Sequence, residues 1–266
     1  MKKVVVFFDI EANLVSQGGD NKGYIEACLK TLQKHGVHAT LNVCGSVVKQ
    51  YPEIFRKAAL AGHEIASHGY SHENFLELRA EELNLALEKA EREIENACGA
   101  RPLGVRSPWL YMNRGVYSVF SSRGYLWASN RRMRMPEIVK HPSLQPDASL
   151  AYRANAFLMR TYLSFQGLWF PKAPYVLDGV LEIPLLSSMD GELLGLVDPN
   201  QESSEQAVEY AIASLKKQFL RSKGHFNLTF HDWVIGSANR TKVLDELLRF
   251  MKSQGAEFFT ASELLK

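Results

Sequence analysis

The sequence predicts an α/β fold built on a parallel sheet, and two observations carry this. Short apolar stretches of strand length alternate with amphipathic helical stretches about seven times along the chain. At 266 residues, that many strand–helix units can curl a parallel sheet into a closed or nearly closed barrel. No internal repeat or linker interrupts the pattern, so a single domain over 1–266 is the economical organisation.

The elements follow in order. Residues 4–8, Val-Val-Val-Phe-Phe, read as a first strand, since the run is too short for a signal-peptide core. A helix over about 24–35 closes at Gly36, a strand covers 39–43, a helix 52–61, and a strand 64–67. Residues 80–97 are dense in Glu, Leu, Ala and Lys, all strong helix formers. A short strand at 104–106, a helix at 113–123 stopped by Gly124, and a strand at 125–128 come next. Then the rhythm breaks. Residues 129–180 are irregular, with prolines that include 136, 142, 171 and 174, and read as an insertion. The alternation resumes with a strand at 181–186, a helix at 202–221, a strand at 226–230, a helix at 241–252, a strand at 258–260 and a last helical turn.

Composition narrows the class. With 46% hydrophobic and 23% charged residues the chain is of the soluble globular type. A net charge of +2 does not suit a nucleic-acid binder, so no nucleic acid is expected as partner. The three cysteines are far apart and form no C-x-x-C pair, which favours buried thiols in a reducing compartment. No stretch approaches the length of a membrane-spanning helix. A cytoplasmic protein is the expectation.

Chemistry concentrates at strand ends. The strand at 64–67 runs into His68, Gly69 permits a sharp turn, and His72 follows four residues after His68. A helical turn opening at His68 would put both imidazoles on one face, a common way to hold a transition metal such as zinc once a third ligand arrives. Alone, this spacing equally suits two solvent-facing histidines. Asp9 and Glu11 follow the first strand, Arg106 ends the fourth and His231 a late one. Singly, these are ordinary caps, salt-bridge partners and surface groups; together, at the carboxyl ends of barrel strands, they mark a site. Period-two spacing puts Asp9 and Glu11 on one side of an extended chain, and either carboxylate could reach a metal.

Asp9-Ile10-Glu11, His68-Gly-Tyr-Ser-His72, Arg106-Ser107-Pro108-Trp109 and Thr229-Phe230-His231 resemble, in order and spacing, the successive motifs of the polysaccharide deacetylases (NodB homology, carbohydrate esterase family 4). Glu182-Ile183-Pro184 is similar to a strand found in several members, and the first motif resembles the branch that writes Asp-x-Asp or Asp-x-Glu. The resemblance implies a distorted (β/α)7-type barrel. It also implies metal-dependent removal of an N-acetyl or N-formyl group from an amino sugar in a polysaccharide, a lipid-linked sugar or a related glycoconjugate. By the same resemblance Glu11, His68 and His72 are metal ligands for zinc, with cobalt, nickel or manganese as alternatives. Asp9 is the general base, Arg106 its partner and His231 the general acid. The Trp109 N–H faces the oxyanion, and Ser107, Pro108, Trp109 and Trp233 bind substrate; a core role is the alternative for Trp233.

One position departs from the family. Trp127-Ala128-Ser129-Asn130 stands where Tyr-Asp-Ser-Ser is common, so the carboxylate that steadies the catalytic histidine is missing at Ala128. Asn130, or a carboxylate from elsewhere, would have to substitute.

The insertion sets Arg131, Arg132, Arg134, Lys140, Arg153 and Arg160 against Glu137 and Asp147, with apolar runs at 157–159 and 168–170. A lid over the barrel mouth with solvent-facing arginines is the first reading. The second is a site for a phosphorylated or lipid-linked sugar, with peripheral membrane contact through 131–170. An intracellular substrate such as a polyprenyl-phosphate-linked amino sugar or a nucleotide sugar would fit. Two other functions compete: an allantoinase-like cyclic amide hydrolase, and a catalytically inactive glycan-binding pseudoenzyme, which Ala128 favours.

Overall fold

The computed structural model describes residues 1–11, 21–132, 171–195 and 201–265. Most of the insertion, with Arg134, Lys140, Arg153, Arg160 and both apolar runs, lies outside them. The first strand, β1 (Lys2–Ile10), is apolar over 4–8 because both of its faces are buried. Val4, Val6, Phe8 and Ile10 face the helices, while Val5 and Phe7 point inward and cluster with Ala66, Trp127, Ile183 and Ala261.

The chain continues through α1 (Lys22–Lys34), β2 (Thr40–Val43), α2 (Gly45–Gln50), α3 (Pro52–Leu60), β3 (Glu64–Ser67) and α4 (Ala80–Cys98). Next come β4 (Gly104–Val105), α5 (Arg114–Ser122), β5 (Trp127–Ala128), and a hairpin of β6 (Tyr175–Leu177) and β7 (Val180–Glu182). Then follow α6 (Asp190–Leu194), α7 (Glu205–Arg221), β8 (His225–His231), α8 (Asp232–Ile235), α9 (Thr241–Ser253), β9 (Ala256–Phe259) and a closing 3-10 turn (Ser262–Leu265). Helix α4 shows the packing logic: Leu83, Leu87, Ala90, Ile94 and Ala97 recur at helical spacing on its buried face.

These strands form one curled sheet in the order β6-β7-β5-β4-β3-β2-β1-β8. Every pairing is parallel except that of β6 with β7. β1 is the most shared strand: β8 pairs with Lys3–Asp9, β2 with Phe7–Ile10, and β9 with Lys2–Val5. The distorted (β/α)7-type barrel is therefore present, and it is nearly closed rather than closed. Among the described residues no backbone ladder joins β7 to β8. Asn227 of β8 bridges there instead, its Nδ2 donating to Pro184 O at 2.7 Å and its Oδ1 accepting from Leu186 N at 2.8 Å. A side-chain amide mimics a missing strand.

The barrel floor is filled. Trp127 Nε1 donates to Glu64 Oε1 at 2.9 Å and to Ser262 Oγ at 3.1 Å, and Thr40 Oγ1 donates to Glu64 Oε2 at 3.0 Å. Gly104 makes room for this indole: a Cβ there would lie 1.8 Å from Trp127 Cε2. His63 is buried beside the floor and accepts Ala39 N–H at 3.1 Å; burial, then neighbouring His38, bring its pKa down to about 4.

Candidate active site

Four parallel strands of the sheet deliver the site, with β2 between two of them. β1 carries Asp9 and leads into Glu11, β3 into His68, β4 into Arg106, and β8 ends at His231. Arg106 is fully buried, and each of its three guanidinium nitrogens donates a hydrogen bond. Nη1 donates to Asp9 Oδ1 at 2.7 Å, while Nε and Nη2 donate to Ser129 O and Oγ, both at 2.9 Å. Asn42 Nδ2 also donates to Asp9 Oδ1, at 2.7 Å. Burial opposes charge on Asp9, but Arg106, then His68 and His231, and the Asn42 hydrogen bond outweigh it and hold the carboxyl below its usual range. Both donors sit on one oxygen.

Glu11 belongs to a different group. Its Oε2 lies 2.5 Å from His72 Nε2 and 3.6 Å from His68 Nε2, and the donor atoms of these three residues all fall within 4.8 Å of one another. His68 Nδ1 lies 2.9 Å from Arg106 O. A carbonyl only accepts, so Nδ1 carries the proton and Nε2 turns a lone pair toward the Glu11 carboxylate. A cation belongs between that lone pair and the carboxylate: a proton in the ion-free protein, which makes the contact a hydrogen bond, or a metal ion in its place. One carboxylate, two imidazoles and a backbone-fixed tautomer fit a divalent ion. Burial opposes charge on Glu11 too, yet the histidine hydrogen bonds keep its pKa far below the ordinary value.

The expected helical turn between His68 and His72 does not form. The segment is a loop in which Gly69 (φ +76°) and His72 (φ +64°) take left-handed backbone, folding the second imidazole back to 5.2 Å from the first between ring centroids. The pair shares a face through a reversal, not through helical periodicity.

The carboxylate missing at Ala128 comes from Asp190, at the start of α6. Its Oδ1 lies 2.8 Å from His231 Nδ1, and its Oδ2 accepts the His231 backbone N–H at 2.7 Å. Burial works against an imidazolium here, but Asp190, then Glu11 and Asp9, push the His231 pKa up to about 10. Asn130 does something else: its Oδ1 accepts Ser107 N–H at 2.7 Å and its Nδ2 donates to Tyr117 Oη at 3.2 Å, pinning the Arg106–Trp109 turn. Sequence reasoning missed Asp190, although the strand-end rule, applied after Glu182-Ile183-Pro184, leads toward it. Glu182 is itself structural: fully buried, it accepts from Tyr117 Oη, Asn130 N and Arg131 N.

The remaining predicted residues divide. Pro108 is buried and opens a short 3-10 turn, and Ser107 is buried beside Arg106. Trp109 is 54% exposed and left-handed (φ +59°), with its ring edge-on to His72 at 4.9 Å. Trp233 is only 3% exposed and packs 5.9 Å from His231, so it is a core aromatic beneath that histidine and does not line an open cleft. Arg132 is not solvent-facing either: it is largely buried and ion-pairs with Glu192 on α6. Among the described residues no helix is long and apolar enough to cross a membrane.

Fold and site together define a barrel protein with a buried cluster of carboxylates, imidazoles and one guanidinium at the carboxyl ends of its strands, three of whose groups could hold a cation. Residues 1–127 match the polysaccharide deacetylase family model. The chain is 31% identical over 114 residues to a peptidoglycan-N-acetylmuramic acid deacetylase, PdaC of Bacillus subtilis, covering 43% of this chain and 24% of that one. Matches to this and two further curated relatives span 24 to 39% of those proteins' own lengths. A Mycobacterium smegmatis structure classed with the polysaccharide deacetylases superposes with a TM-score of 0.71 at 20% identity, over 98% of this chain and 88% of that one. A carbohydrate esterase family 4 pseudoenzyme of Bacillus anthracis superposes with a TM-score of 0.60 at 15% identity, over 100% and 66%. Residues 1–127 thus match the polysaccharide deacetylase family, and the chain as a whole shares the fold of carbohydrate esterase family 4 structures.

Proposed function

We propose that this protein is a metal-dependent N-deacetylase of an amino-sugar glycan or glycoconjugate, acting as one domain over 1–266 with an insertion at about 129–180. The observation that carries the reading is the adjacency of three groups: Glu11–His68–His72, Asp9–Arg106 and His231–Asp190. Glu11, His68 and His72 would hold a divalent ion, zinc by the nature of the donors. Such an ion supplies Lewis-acid polarisation of the amide carbonyl and acidifies water.

Asp9 is assigned as the base. With Oδ1 occupied by Arg106 and Asn42, Oδ2 is the oxygen free to take a proton from the attacking water. His231 is assigned as the acid. Asp190 holds Nδ1, so Nε2 presents the proton that the departing amine needs, since an amide nitrogen does not leave as its anion. The Trp109 N–H is assigned to the developing oxyanion and its exposed ring to a sugar face. The name of the Bacillus subtilis relative, a peptidoglycan deacetylase, supports an N-acetylated glycan as substrate. Three free cysteines support a reducing, cytoplasmic setting.

The pseudoenzyme reading has one specific support, the absence of a carboxylate at Ala128. Asp190 weakens it by filling the same electrostatic need. Metal content by elemental analysis, followed by acetate release from N-acetylated glycan fragments, tests the proposal on wild type and on His68→Ala/His72→Ala. Near-stoichiometric metal and acetate release, both lost in the double variant, are expected. Metal without acetate from peptidoglycan or chitin fragments would shift the reading to a glycan binder, and no metal at all would remove it.

A further inference from the structure

We propose that Glu73 is a positioning residue that sets how tightly Glu11, His68 and His72 hold their ion, without touching it; this rests on the metal reading above. His68 needs no help, because it ends a strand and its Nδ1 is fixed by Arg106 O. His72 does. It bears a Cβ in the left-handed region (φ +64°), a conformation that persists only where the surroundings impose it.

The surroundings are two sets of hydrogen bonds on opposite sides of the loop. The carbonyls of Gly69 and Tyr70 accept from Gly45 N at 3.0 Å and Ser46 N at 2.9 Å. The N–H groups of Tyr70 and Ser71 donate to the two oxygens of Glu73, Oε2 and Oε1, each at 3.0 Å. Ser71 Oγ adds a third donor to Oε1 at 2.9 Å. The carboxylate also lies against Gly69, where a Cβ would come within 2.8 Å of Oε2. One side chain thus ties residues 70 and 71 to residue 73 and leaves residue 72 to bulge inward. Both Glu73 oxygens are engaged by the loop, which is the signature of an anchor and not of a ligand.

Removing the carboxylate frees the loop on one side, so His72 can relax toward ordinary backbone and turn its imidazole away. His68 and Glu11, fixed by other elements, stay. The loss then falls on one ligand of three.

The test compares metal-free wild type, Glu73→Ala and Glu73→Gln by cobalt(II) titration against a competing chelator, with visible absorption and amide exchange at Tyr70 and Ser71. Glu73→Ala is expected to weaken cobalt binding on the order of 10–100-fold, a typical cost of losing an outer partner of a metal ligand. Its absorption band at saturation should match wild type, its Tyr70 and Ser71 amides should exchange faster, and its metal-free melting temperature should be close to wild type. Glu73→Gln keeps one acceptor oxygen and should fall between. Affinity within twofold of wild type in Glu73→Ala, or unchanged amide exchange, overturns the inference, as does an altered band, which would make Glu73 a ligand. A wild type that takes up no cobalt removes the metal reading and this inference together; uptake with equal affinity in the variant removes this inference alone.

Discussion

Asp190 grips His231 twice, once at ring Nδ1 (2.8 Å) and once at the backbone N–H (2.7 Å). The double contact fixes the rotation of the ring and directs its Nδ1–H to the carboxylate. It comes from α6, which follows β7, and so reaches the histidine across the gap that Asn227 bridges. A barrel left open at one seam gives a carboxylate from that side access to its last strand.

Asp190→Asn should therefore cost acid function. A raised pKa keeps His231 protonated up to about 10 in the ion-free protein, and a bound cation would lower that limit by repelling the imidazolium. Activity needing the proton is lost as pH rises through that pKa. Without the Asp190 charge the pKa falls, so the alkaline limb of kcat/KM should move down by at least about one pH unit, with turnover at pH 8 lowered ~10–100-fold. The stability contributed by the pair is full below the ordinary histidine value and is lost as pH rises toward about 10. Superimposable pH–rate profiles for the two proteins would contradict this.

Arg106→Ala leaves Asp9 buried without its cation. A loss of roughly 3–5 kcal/mol in unfolding free energy is expected, the usual consequence of breaking a buried pair from one side. Urea denaturation measures it. A loss under about 1 kcal/mol would mean that Asp9 is neutral in the folded protein, and with it the assigned base would fall.

The two tryptophans should separate cleanly. Trp109→Ala, at an exposed left-handed position, should leave the melting temperature within a few degrees and raise KM for the glycan ~10-fold. Trp233→Ala, buried under His231, should destabilise by about 3–5 kcal/mol. Equal effects on KM with no stability difference would reverse the two assignments.

Gly104→Ala tests the barrel floor. The added methyl meets the Trp127 ring at a distance no contact allows, so overpacking should cost about 1–3 kcal/mol or more. Chemical denaturation of the variant with an unchanged midpoint would show that the indole can move aside.

Ion removal should be visible in stability alone. With free zinc at 100 times its dissociation constant, binding to the folded state adds about 2.7 kcal/mol. A chelator should lower the melting temperature of wild type and leave that of His68→Ala/His72→Ala unmoved.

The parts of this site that sequence revealed are those fixed by local rules. Asp9, His68, Arg106 and His231 could be placed because each terminates an apolar run, and a parallel sheet collects such ends on one rim. The spacing of His72 from His68 left a helical turn and a solvent-facing loop both open, and the family motif pointed to His72; the face comes from a glycine-led reversal braced by the carboxylate of the next residue. Asp190 was not legible as a partner because its helix spans only Asp190–Leu194 and follows an irregular segment, so nothing periodic announces it. The same holds for the short strands β4 and β5, two residues each, whose pairing is imposed by neighbours and not by propensity. The open seam depends on Asn227, and no local pattern distinguishes a bridging asparagine from an ordinary one.

The sharing of β1 has a kinetic consequence. Residue 3 pairs with residue 225, and residue 2 with residue 256, so the strand bearing Asp9 acquires one whole edge and half of the other only from segments far along the chain. Until then a nearly all-apolar strand waits with an exposed hydrogen-bonding edge, the state most prone to pair with a neighbouring chain. Folding of this protein should accordingly be slow, governed by long-range closure, and sensitive to concentration during refolding.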